Sequence, residues 1–294
     1  MTVSDKLYSP KVIKRIMAEG GLAFSKSKGQ NFLIDGNVVS KIGRASGICK
    51  DDHVIEIGPG IGTLTQELLK HSGKLTAIEL DRGFLPILSK NFGDDPKFNL
   101  LEGDALKIDL QGLLSEEKNP VKVVANLPYY ITSPILIKLL TDDLPLKSIT
   151  VMVQKEVGER ICAKKNSPDY GALSLLVSLY SSDKRIIFDI PRTAFLPAPK
   201  VDSCLIHIEM GQNQESLAGK LDREDKKKVN NIIRLAFQKR RKMVIKCFQD
   251  NLGKSKNDLI KVFREAGVDD KARPENLDLD DYVNILQLSG YLDW

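Results

Sequence analysis

Short apolar runs alternate with segments of helical period through the first two thirds of the chain. The apolar runs are HVIEIG, KLTAIELD, FNLLEGDAL, KVVANLP, SITVMVQKE, KRIIFDI and SCLIHIEM, and the helical segments include TLTQELLKHS, GFLPILSKNF, SPILIKLLTD and GALSLLVSLYS. Strands that alternate with helices of about ten residues are typical of a parallel sheet covered on both faces. The pattern therefore predicts an α/β domain with a mostly parallel sheet, whose last two strands can form an antiparallel edge.

The two ends of the chain have other patterns. Residues 11–19 have the period of a short helix, and a basic loop, AFSKSKGQNFLID, follows them. Asp35 is placed to cap a helix from about Gly36 to Ala45. After Gly211 a polar linker leads into segments of helical period only. We therefore predict an N-terminal arm over residues 1–35, an α/β domain over 36–210 and a small all-helical domain over 211–294.

Composition adds limits to this picture. The chain has 294 residues, of which 42% are hydrophobic and 28% charged, as in an ordinary globular protein. Its apolar runs are of strand length and polar residues interrupt them, so the sequence predicts no membrane span. The N-terminus lacks the apolar core of a secretory signal, and a cytoplasmic protein is expected.

Cysteine and histidine positions give no sign of a metal site. The cysteines are far apart and form no CxxC pair, and the histidines are not near them at the spacing of metal ligands. These residues are Cys49, Cys162, Cys204 and Cys247, and His53, His71 and His207. We predict no metal, and we expect His53 and His207, which fall in strands, to be packed imidazoles.

Positive charge is concentrated in two places. Residues 226–246 contain nine lysines and arginines and no acid: Lys226, Lys227, Lys228, Arg234, Lys239, Arg240, Arg241, Lys242 and Lys246. The N-terminal arm is also basic. Such asymmetry suits a protein that meets a polyanion with part of its surface, although solvated helix faces would give the same pattern.

The first strand of the α/β domain ends in a glycine-rich turn, EIGPGIGTLT. Gly58, Gly60 and Gly62 allow the backbone to approach a ligand closely. A dinucleotide-binding turn would have its third glycine at position 63, where this chain has Thr63. The spacing therefore disfavours a pyrophosphate, while a plain structural turn remains an alternative.

Two acids follow the next two strands. Glu79 can accept hydrogen bonds from both ribose hydroxyls, and Asp104 can accept one from the exocyclic amine of an adenine. Each alone could equally be a helix cap. Together they predict, at the carboxyl edge of the sheet, a site for a nucleoside without phosphates. The cofactor indicated is S-adenosyl-L-methionine, with S-adenosyl-L-homocysteine as the product.

The stretch VVANLPYYITSPI places an amide, a proline and two tyrosines at the end of a buried strand. Suppose that the methyl acceptor is the amino group of an adenine. This amine is a poor nucleophile, and its nitrogen gains positive charge as it is methylated. The Asn126 side-chain carbonyl and the Leu127 backbone carbonyl can stabilise that charge, and Pro128 donates no competing N–H. Tyr129 offers a ring on which the base can stack, while we assign Tyr130 to packing.

The motifs IEIGPGIGTLT, IELD, EGDAL, NLPYYIT, KGQNFLID and FLPAPKVDS resemble, in order and over nearly the whole chain, those of the small-subunit ribosomal RNA adenine dimethyltransferase family. The resemblance implies a seven-stranded Rossmann-like class I methyltransferase sheet with a helical C-terminal domain. It also implies dimethylation of N6 on two adjacent adenosines in the 3′-terminal hairpin loop of small-subunit RNA, during biogenesis of the subunit.

The resemblance also implies roles for particular residues. The cofactor site would comprise Asn31 and Leu33, which close over the methionine portion, together with Gly58, Gly60, Glu79, Asp104 and Asn126. Phe195 would stack on the target base opposite Tyr129. We predict that the basic stretch 226–246 and the N-terminal arm bind RNA phosphates, with Arg240 and Arg241 as the main contacts. The predicted RNA-binding residues are Lys26, Lys28, Lys239, Arg240, Arg241 and Lys242, and the protein is expected to be a monomer.

Other functions explain the sequence less well. A methyltransferase acting on large-subunit RNA would share the fold and the Asn-x-Pro-aromatic turn, but FLPAPKVDS and GQNFL favour the small-subunit enzyme. A DNA adenine methyltransferase would have proline where this chain has Leu127. A dehydrogenase is disfavoured by Thr63. A binding module without catalysis is disfavoured by the intact Asn126, Pro128 and Tyr129, although a further role as a checkpoint in ribosome assembly stays open.

Overall fold

The chain divides into two compact units. A computed structural model describes residues 6–24, 30–211 and 217–292. The first unit comprises Met1–Gly158 and Arg185–Glu209, and the second comprises Glu159–Lys184 and Met210–Trp294.

Helices and strands alternate through the first part of the chain. In order they are α1 (Pro10–Glu19), β1 (Phe32–Leu33), α2 (Gly36–Ala45), β2 (His53–Ile57), α3 (Thr63–His71), β3 (Lys74–Glu79), α4 (Leu85–Phe92), β4 (Phe98–Glu102), α5 (Leu110–Leu114), β5 (Val121–Asn126), α6 (Thr132–Thr141) and β6 (Leu146–Gln154). The remaining elements are α7 (Lys155–Cys162), α8 (Ala172–Tyr180), β7 (Ser181–Ile190), β8 (Phe195–Leu196), β9 (Ser203–Met210), α9 (Arg223–Gln238), α10 (Val244–Leu252), α11 (Lys256–Glu265) and α12 (Leu279–Leu288).

Seven strands form the main sheet, in the order β4-β3-β2-β5-β6-β9-β7. The first five of these pair in parallel, and β9 pairs antiparallel with β6. Every residue of β2 is buried, as expected for a strand covered on both faces, which is why it reads as a nearly continuous apolar run. The prediction of a mostly parallel seven-stranded Rossmann-like sheet is confirmed, and the strand that follows FLPAPKVD is antiparallel as expected.

A second, two-stranded sheet was not predicted. It pairs β1 with β8 antiparallel, with Phe32 opposite Leu196 and Leu33 opposite Phe195. Strands of two residues carry no periodicity that a sequence pattern could detect. The pairing joins the GQNFL and FLPAPK segments, which lie far apart along the chain.

The second unit is not confined to the end of the chain. The sequence placed the boundary between residues 210 and 211, but Glu159–Lys184 also belongs to the helical unit. Leu175 and Leu179 of α8 share one apolar cluster with Val229 and Phe248. The sequence analysis placed α8 in the α/β domain because this helix lies between two strands along the chain. Its apolar surface is instead buried against helices.

Candidate active site

A cavity of about 430 Å³ opens where the parallel strands of the main sheet end. This volume lies within the usual range for a small-molecule site. All seven residues predicted to bind the cofactor line the cavity: Asn31, Leu33, Gly58, Gly60, Glu79, Asp104 and Asn126. Pro128 lines it as well. The structure thus brings together segments from the N-terminal loop and from the ends of four neighbouring strands.

The glycine turn after β2 and the last residue of β3 hold each other in place. The Gly60 backbone N–H donates to Glu79 Oε2 at 2.9 Å, and the Asp81 N–H donates to Glu79 Oε1 at 2.7 Å. Gly60 has a φ of 58°, and a Cβ there would lie 2.9 Å from the Phe32 ring. The turn therefore needs glycine both for its backbone conformation and for its approach to β1. The two amides fix the Glu79 carboxylate, and each oxygen retains a lone pair for a ligand hydroxyl.

Burial raises the pKa of Glu79, and its backbone hydrogen bonds oppose that shift. The carboxylate is almost fully buried at the wall of the cavity. A ligand that donates hydroxyl hydrogens there binds the ionised form best, because only that form accepts at both oxygens.

Asp104 lies two residues beyond the end of β4. Its Oδ1 accepts a hydrogen bond from the Leu106 backbone N–H at 3.0 Å, and its Oδ2 lies 3.8 Å from Lys107 Nζ. The side chain therefore shapes the turn and also lines the cavity. The two predictions for this residue, a local cap and a ligand contact, are compatible with each other.

Glu56 is a further carboxyl group at the cavity, and the sequence analysis missed it. It is the next-to-last residue of β2, is 1% exposed, and accepts a hydrogen bond from Thr65 Oγ1 at 2.6 Å. Burial raises its pKa to about 8, so the group is neutral at pH 7. The sequence feature that could have identified Glu56 is its position as a lone acid inside the apolar run VIEIG.

Asn126 is the last residue of β5 and faces the cavity. Its Nδ2 donates to the Asn31 backbone carbonyl oxygen at 2.9 Å. That hydrogen bond fixes the orientation of the amide. Within the described residues Oδ1 has no hydrogen-bond donor, so the oxygen is left as an acceptor at the cavity. Pro128 follows with a φ of −57° and no N–H of its own. The Leu127 side chain between them is buried in the core.

The two tyrosines of the turn have opposite environments. The Tyr129 hydroxyl is hydrogen-bonded to Ser203 Oγ at 2.6 Å, its ring is half-buried, and burial raises its pKa. Tyr130 is 58% exposed and lines the cavity. The assignment of Tyr130 to packing was therefore wrong. The 3₁₀ turn at Tyr129–Ile131 turns the second ring outward.

Phe195 lies away from the cavity. It is 2% exposed, opposite Leu33 in the small sheet, and it belongs to an apolar cluster with Val124 and Leu205. A ring this deeply buried offers no face to a base. Stacking by Phe195 is thus not available in this conformation, because pairing of β8 with β1 directs the side chain into the core.

The predicted RNA-binding residues that the structure describes lie on the helical unit. Lys239 Nζ is 3.3 Å from Asp250, and Arg240 donates to the Pro168 carbonyl oxygen at 2.9 Å and lies 3.7 Å from Glu275. Arg241 and Lys242 are exposed, and neither has an ion pair within the described residues. Lys26 and Lys28 lie outside the described part of the chain.

The described residues offer neither a cluster of metal ligands nor a membrane-spanning helix. Residues 6–24, 30–211 and 217–292 contain no group of three or more His, Cys, Asp or Glu side chains that could hold a metal ion. None of the helices described is long and apolar enough to cross a bilayer.

His53 and His207 are buried and hydrogen-bonded to Thr76 and Thr150, as expected for packed imidazoles.

Comparison with known proteins identifies the family. The model of the family described as "Ribosomal RNA adenine dimethylase" matches residues 21–289. The chain belongs to this family. It is accordingly an S-adenosylmethionine-dependent rRNA adenine dimethyltransferase.

Relatives in the family cover nearly the whole chain. The ribosomal RNA small subunit methyltransferase A of Clostridium perfringens is 45% identical over 269 residues, which are 92% of this chain and 92% of that protein. The protein of the same name from Geobacillus thermodenitrificans is 39% identical over 283 residues, or 94% of each chain.

Solved structures show the same architecture. A dimethyladenosine transferase from Plasmodium falciparum superposes with a TM-score of 0.72 at 26% identity, covering 87% of this chain and 96% of that one. The 23S rRNA methyltransferase ErmE superposes with a TM-score of 0.67 at 20% identity, covering 88% of this chain and 100% of that one. The second likeness, at that identity, shows the fold alone.

Glu56 provides a test of the cavity's electrostatics. Its folded pKa of about 8 lies above the ordinary value of 4.5, so the folded state binds the proton more tightly than the unfolded state. The free energy of unfolding should therefore fall as pH rises from about 4.5 to about 8. Glu56→Gln removes the titrating group and keeps a neutral side chain of the same shape. We expect the variant to gain stability relative to the parent across that interval.

Urea unfolding at four pH values between 5 and 8 measures this difference. Glu116→Gln, at an exposed position, controls for the loss of one carboxylate. A difference between Glu56→Gln and the parent that does not change with pH would show that Glu56 is already ionised in the folded protein.

Proposed function

We propose that the protein dimethylates N6 of two adjacent adenosines in the 3′-terminal hairpin loop of small-subunit ribosomal RNA. S-adenosylmethionine is the methyl donor and S-adenosylhomocysteine the product. The observation that carries the proposal is the Asn126 amide, which is held by its N–H and directs an unbonded carbonyl oxygen to the cavity. This group is suited to an acceptor that carries hydrogens on nitrogen.

Asn126, Leu127 and Pro128 act on the adenine amine. When bound, the cofactor supplies a methyl group activated by an adjacent sulfonium. Two carbonyl oxygens, Oδ1 of Asn126 and the backbone oxygen of Leu127, accept from the amine and stabilise the positive charge that develops on its nitrogen. Pro128 holds the turn and presents no donor that would compete for those oxygens.

Glu79 and Asp104 provide the nucleoside part of the site. The Glu79 carboxylate, fixed by the amides of Gly60 and Asp81, is suited to a ribose diol. Asp104 is suited to the exocyclic amine of the cofactor's adenine, at the next strand end along the sheet. Asn31 and Leu33 cover the remaining side, where the small sheet and the Asn126 hydrogen bond hold their segment. No metal takes part in the proposed chemistry.

Tyr130 joins Tyr129 as a candidate surface for the target base. Tyr129 is anchored through its hydroxyl and keeps a ring that is only half-buried, so it remains a proposed stacking partner. Tyr130 is exposed at the cavity and has no such anchor. The proposed stacking role of Phe195 needs β8 to move and is the weakest of the three.

The helical unit contributes affinity for RNA phosphates and does not distinguish one RNA sequence from another. Arg241 and Lys242 are exposed and have no acidic partner within the described residues, so they are the strongest candidates for phosphate contacts. Arg240, which engages Pro168 and Glu275, is less available than the sequence indicated. Lys239, which is paired with Asp250, remains a proposed contact. Lys26 and Lys28, outside the described residues, remain proposed contacts as well.

The setting of the reaction follows from the relatives. Those in Clostridium and Geobacillus are named for the small ribosomal subunit. We propose that this protein acts on an immature small subunit, in the cytoplasm and as a monomer. The fold shared with a 23S rRNA methyltransferase leaves the large-subunit reaction as the rival to be tested.

Incubation with labelled cofactor distinguishes the two reactions. Unmethylated small subunits and bare large-subunit RNA are each treated with the protein and labelled S-adenosylmethionine, and their nucleosides are then separated. We expect N6,N6-dimethyladenosine from the small subunits at two adjacent positions, and no label in the large-subunit RNA. Label confined to large-subunit RNA, or found on another atom of the base, would overturn the proposal.

Tyr130→Ala tests the exposed ring. Stacking of a base on an aromatic side chain is worth ~1–3 kcal/mol, so we expect kcat/KM for small subunits to fall about 5- to 150-fold. Tyr130→Phe keeps the ring and should stay within a few-fold of the parent. If the alanine and phenylalanine variants had equal kcat/KM, the ring would have no part in binding the base.

Arg241→Ala/Lys242→Ala tests the basic surface. Loss of two phosphate contacts should weaken RNA binding and reduce the slope of log K against log salt by about 1.4 to 1.8. Affinity for S-adenosylmethionine should not change. The matched control is Lys227→Ala/Lys228→Ala, whose side chains already pair with Glu224 and Asp225. An equal loss in both double variants would show that net charge alone, rather than this surface, determines binding.

A further inference from the structure

A second cavity, of about 440 Å³, lies on the α/β unit outside the cofactor site. Its lining includes Gln154, Lys155, Arg192, Lys200 and Asp202. Gln154 is the last residue of β6, which runs parallel to β5. Because parallel strands end at the same edge of a sheet, this cavity opens at the edge that also carries Asn126.

The Asn-Leu-Pro-Tyr turn reaches towards both cavities. Pro128 lines the cofactor cavity, and the hydroxyl of the next residue, Tyr129, is bonded to Ser203 Oγ. Ser203 is paired with Gln154 in the register of β6 and β9 and directly follows Asp202. A strand of RNA that placed its base at Asn126 would therefore have its neighbouring nucleotide within reach of the second cavity.

The charges at the second cavity are not equally available. Lys155 Nζ lies 2.5 Å from Asp189, so this lysine is already paired. The side chains of Arg192 and Lys200 are exposed, and neither makes an ion pair or hydrogen bond within the described residues. Two cations are thus left for a ligand on a surface that the proposed substrate must approach.

The loop that carries Arg192 is held in place by Asp202. Asp202 Oδ1 accepts a hydrogen bond from the Arg192 backbone N–H at 2.9 Å, and the Asp202 backbone carbonyl accepts one from the Lys155 N–H at 3.0 Å. Through these two bonds Asp202 connects the segment that begins at Arg192 with Lys155, which directly follows β6. The guanidinium of Arg192 therefore projects from a fixed backbone rather than from a free loop.

The acids at the rim limit the kind of anion that fits. Glu156 and Asp202 place two negative charges beside Arg192 and Lys200. Coulomb repulsion from these carboxylates opposes a dianionic phosphate monoester more than a phosphodiester, which carries a single charge. A guanidinium binds such a phosphate through two parallel hydrogen bonds. The cofactor has no phosphate, so the anion must come from the nucleic acid.

We propose that Arg192 and Lys200 form a binding site for one backbone phosphodiester of the RNA, next to the target adenosine. The site positions the strand at the catalytic edge, separately from the basic surface of the helical unit. The inference rests on the proposed function for its substrate class. It assigns a role to two side chains that the cofactor site and the Asn-Leu-Pro-Tyr turn do not use.

Arg192→Ala/Lys200→Ala tests the site. The readouts are the Kd for the unmethylated hairpin RNA as a function of salt and the Kd for S-adenosylmethionine. We expect RNA affinity to fall about 10-fold, as for the loss of one charged, hydrogen-bonded contact, and the salt slope to fall by about 0.7. The cofactor Kd should stay within twofold of the parent. Arg192→Lys/Lys200→Arg keeps both charges and should retain the parental salt slope.

Lys147→Ala is the matched control, because Lys147 is an exposed lysine at the opposite end of the same strand, β6. Equal RNA affinity and salt slope in the double alanine variant and in Lys147→Ala would overturn the phosphate site. An unchanged salt slope with weaker RNA binding, or a parallel loss of cofactor affinity, would overturn it too. Failure of the parent protein to methylate small subunits would instead count against the proposed function, since RNA binding is measured without turnover.

Discussion

The hydrogen bond from Asn126 Nδ2 to the carbonyl oxygen of Asn31 joins segments 95 residues apart, and the proposed catalytic arrangement depends on it. An amide at a strand end could present either its oxygen or its nitrogen to a ligand. Here the backbone of the GQNFL segment takes the nitrogen, and the oxygen is left for the substrate. That segment is itself held by pairing of β1 with β8. The small sheet thus helps to orient the proposed catalytic amide, which it does not contain.

Electrostatics at the same edge suit a cationic nucleoside cofactor. Two backbone amides fix the Glu79 carboxyl group and oppose the effect of burial, which raises its pKa. Burial raises the pKa of Glu56, deeper in β2, to about 8. The glycine turn brings its backbone against Glu79. The cations of the helical unit that are proposed to contact RNA are not among the residues that line this cavity.

Much of the α/β unit could be predicted from the sequence because its signals are local. A buried strand reads as an apolar run, and the residue after it lies at the carboxyl edge, so the convergence of Gly58, Glu79, Asp104 and Asn126 needed only strand ends. Features set by tertiary contacts could not be predicted in this way. The partnership of α8 with the C-terminal helices, the burial of Phe195 and the exposure of Tyr130 each depend on which surfaces meet. Likewise, Arg240 looked free along the chain because Glu275 is remote in sequence.

The most direct measurement of the central claim is the single-turnover rate of methyl transfer by Asn126→Ala, with cofactor and unmethylated small subunits both saturating. If the oriented carbonyl stabilises charge on the adenine nitrogen, the rate should fall at least about 100-fold, even though both substrates are saturating. A variant that transferred methyl at the parental rate would contradict the account.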